Sequence, residues 1–77
     1  METIYLRKEN KGRGGKTVTL LDGFTRRPEE IEDLARRIKT ALGVGGTVKN
    51  GIIEIQGDFR VKISAMLQEW GFRVKGA

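Results

Sequence analysis

The 77-residue chain carries no cysteine and no histidine, a net charge of +5 and a pI near 10.0. A chain this short buries only about 60% of its unfolded surface, so a single domain spanning residues 1–77 with a small core is expected. The absent residue types remove a disulfide framework, a thiolate nucleophile, a cysteine-based zinc site and the commonest general base, which argues against an enzyme, a cofactor or a small-molecule substrate.

Met1-Glu2-Thr3-Ile4 is not a signal peptide, and no apolar run approaches the length of a membrane span, so a cytoplasmic protein without a membrane partner is expected. Ile4, Leu6 and Lys8 alternate with Tyr5 and Arg7, which suits a first strand with Ile4 and Leu6 facing the core. Asn10-Lys11-Gly12-Arg13-Gly14-Gly15 follows. Three glycines without an apolar residue cannot bury anything, so this loop is expected to project into solvent and to be mobile when unbound. From Arg7 to Lys16 five basic residues, Arg7, Lys8, Lys11, Arg13 and Lys16, stand against Glu9 alone. Such crowding of like charge costs self-repulsion and is useful when a polyanion is met. A plain solubilising hairpin connection is the bland alternative.

A second strand is expected over Lys16 to Asp22, with Val18 and Leu20 inward and Thr17, Thr19 and Leu21 on the opposite face. Gly23 to Arg27 turns the chain. Pro28 at the first helical position opens a helix reaching Leu42, with Ile31, Leu34, Ala35, Ile38 and Leu42 as its apolar stripe. Acidic residues fill its first turns and basic ones its later turns, in keeping with the helix dipole. Glu32 with Arg36 and Asp33 with Arg37 are i,i+4 pairs in the favourable orientation, so Arg36 and Arg37 have a strong structural reading as residues that steady their own helix. Gly43 stops this helix.

Asn50-Gly51 between apolar residues is a strong signal for a two-residue hairpin turn. It pairs Lys49 with Ile52, Val48 with Ile53 and Thr47 with Glu54, so Val48, Ile53 and Ile55 share the core face while Glu54 and Gln56 take the other. Gly57 breaks the strand, and Asp58 is placed to cap a helix starting at about Phe59. Phe59, Ile63, Met66, Leu67 and Trp70 form its inward stripe, Gly71 ends it, and Phe72 and Val74 alternate with Arg73 and Lys75 in a closing strand. The order β-β-α-β-β-α-β implies an α+β fold, a two-layer sandwich with both helices on one face of a mostly antiparallel sheet.

Two motifs invite other readings. Gly12 to Thr17 looks like a phosphate-binding loop, but Asn10 stands where the first glycine is needed and a strand, not a helix, follows Lys16-Thr17. Gly43-Val44-Gly45-Gly46 has the letters of a KH-domain loop, yet it joins a helix to a strand where that loop joins two helices.

Several features together resemble one family: Gly15-Lys16 before a Thr/Val strand, the amphipathic helix, Gly-Val-Gly-Gly-Thr-Val, Ile-Glu-Ile-Gln-Gly-Asp and a last helix ending at Gly71. The pattern covers nearly the whole chain and is similar to the eukaryotic translation initiation factor one family and its short archaeal and bacterial homologues. The resemblance implies a non-enzymatic factor that binds the small ribosomal subunit and its rRNA near the P site and influences start-codon selection or restrains initiation. It also implies that Lys11, Gly12, Arg13, Gly14, Gly15 and Lys16, with Arg36, Arg37 and Lys39, contact RNA, and that Gln56, Asp58 and Arg60 form a second patch. Initiator tRNA would be affected indirectly, and a monomer is expected. Asn50-Gly51 is shorter than the loop that eukaryotic members use near that tRNA, so contacts of that loop do not transfer. The alternative is a basic interaction module whose partner is an acidic protein surface.

Overall fold

The computed structural model describes residues 2–12 and 15–76. Five strands and two helices alternate as β1 (Thr3–Lys11), β2 (Lys16–Asp22), α1 (Pro28–Leu42), β3 (Gly46–Lys49), β4 (Ile52–Gln56), α2 (Arg60–Glu69) and β5 (Arg73–Lys75). The sheet order is β3-β4-β2-β1-β5, antiparallel except where β5 joins β1 in parallel. This is the expected α+β sandwich.

The topology explains why both helices share a face. β2 and β3 run in the same direction and are joined through α1; β4 and β5 run the opposite way and are joined through α2. The two crossovers travel in opposite directions across the sheet, so the right hand that parallel crossovers favour puts α1 and α2 on one side. Between them and the sheet lie Ile4, Leu6, Leu21, Ile53 and Ile55 from the strands and Ile31, Leu34, Ala35, Ile38, Ile63 and Leu67 from the helices, all buried. Fully burying each large aliphatic side chain contributes about 1.5–3 kcal/mol.

The β3–β4 hairpin turns on Asn50 at φ 53° and Gly51 at φ 77°, and the register is the expected one, Lys49 opposite Ile52 and Val48 opposite Ile53. α1 occupies the expected residues. Its Glu30 carboxylate accepts the Arg27 N–H at 3.4 Å, one half of a capping box. α2 ends in a Schellman motif, with the Gly71 N–H on the Gln68 carbonyl and the Phe72 N–H on the Leu67 carbonyl.

Three expectations are corrected. First, β1 runs on to Lys11, so Asn10 and Lys11 belong to a strand ladder and not to a six-residue loop. Second, β2 faces the other way: Thr19 and Leu21 point to the helices, while Val18 and Leu20 lie on the uncovered side. Both faces of this central strand are nonetheless buried, because long side chains flank the outer pair: Leu20 sits between Arg7 and Glu54, and Val18 between Glu9 and Gln56. Third, Asp58 is not the main cap of α2. Its carboxylate oxygen lies 3.5 Å from the Arg60 N–H, at the limit for a bond.

Candidate nucleic-acid interface

The β1–β2 pair outlasts the rest of the sheet. β4 ends opposite Val18, where the Gly57 N–H donates to the Thr17 carbonyl at 2.8 Å. Beyond that point β1 and β2 continue alone as a two-stranded ribbon, Asn10 opposite Thr17 and Lys11 opposite Lys16. The Thr17 hydroxyl donates to the Asn10 side-chain carbonyl at 3.0 Å, tying the ribbon across its strands. A side-chain carbon added at Gly12 or Gly15 would meet nothing within 4 Å, and both glycines are exposed. Lys16 is exposed at the end of the ribbon, beside a shallow groove lined with Thr17, Val18, Glu54 and Gln56. Arg13, Gly14 and the Lys11 side chain, all expected RNA contacts, lie outside the described residues. The residues after Lys16 continue a strand, where a phosphate-binding loop would need a helix.

The ribbon's root is fixed by a residue that sequence reasoning placed on the wrong face. Thr19 is fully buried; its hydroxyl donates to the Gly57 carbonyl at 2.7 Å and accepts the Phe59 N–H at 3.0 Å. It thus locks the β4–α2 turn, a structural cap supplied from another strand. Gly57 holds φ +97°, and an added Cβ would lie 2.5 Å from the Phe59 ring, so any side chain there strains the backbone and must displace that ring. A threonine at a central, otherwise apolar strand position was the available signal.

The second patch divides. Asp58 and Arg60 form a bidentate ion pair, Nε to Oδ1 at 2.9 Å and an amino nitrogen to Oδ2 at 3.1 Å. Arg60 beside it, with a smaller contribution from Lys8, holds the Asp58 carboxyl below its ordinary value. Gln56 stands apart on the uncovered face of the sheet, its side-chain amide beside Gly45.

The three cations of α1 are also unlike one another. Arg36 is exposed and pairs with Asp33 at 2.7 Å, in place of the expected Glu32–Arg36 and Asp33–Arg37 pairs. The Arg37 guanidinium lies 4.1 Å from the centre of the Trp70 ring, a cation–π contact between α1 and the end of α2. Lys39 is half-buried and has no ion pair among the described residues. β3 begins opposite Ile55, next to the end of β4, so the C-terminal end of α1 and the ribbon lie at the same end of the sheet.

The family model described as translation initiation factor SUI1 matches residues 1–73 of this chain. The chain belongs to the SUI1 translation initiation factor family. Among relatives, a protein translation factor SUI1 homolog of Thermococcus onnurineus is 44% identical over 62 residues, 80% of this chain and 63% of its own length. The uncharacterized protein YciH of Salmonella typhimurium is 42% identical over 72 residues, 94% of this chain and 67% of its own. An uncharacterized protein of Haemophilus influenzae is 42% identical over 72 residues, 94% of this chain and 68% of its own. The chain therefore spans about two thirds of the length of these SUI1 relatives. Among the described residues no helix is long and apolar enough to cross a membrane, and no cluster of three or more acidic residues could hold a metal ion.

Proposed function

We propose that this SUI1-family chain is a non-enzymatic, cytoplasmic initiation factor that binds the small ribosomal subunit near the P site through rRNA and influences start-codon selection or restrains initiation. The observation that carries the reading is the β1–β2 ribbon, which leaves the sheet at Thr17 and ends with Lys11 opposite Lys16, in a stretch of sequence, Arg7 to Lys16, that holds five basic residues against Glu9 alone. Lys39 and the exposed Arg36, near the same end of the molecule, supply the second footing; Arg37 contributes less because Trp70 already holds it. The sandwich supplies rigidity, Thr19 and Gly57 fix the ribbon's root, and phosphate contacts release counterions and give affinity that falls steeply with salt. Gly12, Gly14 and Gly15 would let the backbone approach the RNA closely.

Co-sedimentation with isolated small subunits at two salt concentrations tests the reading. Replacing Lys11 and Arg13 by Ala weakens binding and lowers the salt slope by about two, one per lost phosphate contact. An unchanged slope would remove the ribbon from the interface.

A further inference from the structure

A second surface of different chemistry lies on the uncovered face of the sheet, at the end opposite the ribbon. Of the aromatic side chains only Tyr5 is exposed, at 52%; Phe72 is buried and Phe24, Phe59 and Trp70 pack against the core. Tyr5 sits in β1 between Asp22 of β2 and Lys75 of β5, and Thr3 on the same face is paired with Arg73. Arg7 is two residues further along the same face, about 7 Å away. Arg7, Arg73 and Lys75 are exposed and have no ion pair among the described residues. Of the acids flanking Tyr5, Asp22 accepts the Gly23 N–H at 2.8 Å, and Glu2 accepts the Thr25 N–H and the Arg26 guanidinium, both at 2.6 Å; Glu9 and Glu54 share a groove with Arg7 on the side away from Tyr5.

We propose that Tyr5 is a stacking platform for one base of a single-stranded RNA segment, with Arg7, Arg73 and Lys75 holding its phosphates. The physics is that of single-strand recognition: an aromatic face accepts any base, and cations around it follow the backbone without reading sequence. An acidic peptide would use the cations but would leave the ring face unpartnered. The platform lies about 20 Å from the ribbon along β1, so the two surfaces share no residue. The inference depends on the initiation-factor reading only for the class of partner, RNA.

The test uses the full chain and a fluorescent oligouridylate hexamer, with an abasic ribose-phosphate chain of equal length as the control probe. Tyr5→Ala weakens binding to oligouridylate about tenfold and leaves the abasic chain unaffected, while Tyr5→Phe stays within about twofold of the parent. Arg73→Ala and Lys75→Ala each lower the salt slope by about one on both probes. Lys16→Ala, in the ribbon, weakens small-subunit binding yet keeps the Tyr5 effect on oligouridylate, so failure of one surface is distinguishable from failure of the other. Equal binding of oligouridylate by Tyr5→Ala and the parent, or an equal loss on both probes, overturns the proposal. Tyr5-dependent binding of a polyglutamate peptide in preference to oligouridylate also overturns it, in favour of an acidic protein partner.

Discussion

Thr19 carries more of the architecture around the candidate interface than its size suggests. It supplies both partners that the β4–α2 turn lacks, an acceptor for the Phe59 N–H and a donor for the Gly57 carbonyl. Thr19→Val keeps the shape and removes the hydroxyl, leaving two polar groups unpaired; a loss of about 2–4 kcal/mol is expected. Thr19→Ser keeps the hydroxyl and loses a methyl, costing about 1 kcal/mol. Urea denaturation of both variants checks the order, with Val worse than Ser. Period-2 alternation in a central strand has two solutions, and the apolar pair Val18 and Leu20 outvoted Leu21, whose companions on its face, Thr17 and Thr19, are polar. Two carboxylates give the acid limb of stability. The Arg60 guanidinium holds Asp58 low; for Glu2, burial pushes the carboxyl up, but bonds from Thr25 and Arg26 outweigh it and the net direction is down. A folded value below the unfolded one means stability that is present above about pH 4 and lost as pH falls through the folded value. Asp58→Asn and Glu2→Gln should each flatten the decline in thermal midpoint below about pH 4 while leaving its shape near neutrality unchanged.

At the level of elements, periodicity placed every helix and strand, and the misreadings arose where long side chains or weak strand formers chose tertiary partners. Asp33 and Arg37 have good spacing for a pair within α1, but Arg37 reaches the Trp70 ring and Asp33 takes Arg36 instead. A helix considered alone offers no sign of that choice. Likewise Asn10 and Lys11 look like loop residues, yet antiparallel pairing with Thr17 and Lys16 of β2 extends β1 through them. The consequence for α1 is testable by separating its cations. Arg37→Ala and Trp70→Leu should couple by about 0.5–1 kcal/mol in a double-mutant cycle of stability. Arg37→Ala should reduce small-subunit affinity less than Lys39→Ala, whose side chain has no ion pair among the described residues; co-sedimentation at one low salt concentration compares the two.

For the whole molecule, the order of elements was legible but the order of strands was not, because nothing local states that β5 joins β1 rather than the β3 edge. The pairing brings residues about seventy positions apart into contact, Thr3 with Arg73 and Ile4 with Val74, and so closes the sheet with its last strand. Phe72 is the anchor of that closure. It is buried, stands edge-on to Phe24 with ring centres 5.8 Å apart, and lies 4.8 Å below the Arg26 guanidinium. Glu2 holds the same guanidinium at 2.6 Å, so the first strand, the turn before α1 and the last strand meet at one point. Total stability for a domain of this length is about 4–12 kcal/mol, and truncating a buried phenylalanine to alanine costs about 3–5 kcal/mol. Phe72→Ala should therefore leave a large unfolded population at 37 °C, seen as a thermal midpoint lowered by at least about 15 °C. Phe72→Leu, which keeps most of the apolar volume, should retain a cooperative transition. If both variants melt like the parent, the closing strand is not what holds the chain ends together, and the sheet must be stable on its four antiparallel strands alone.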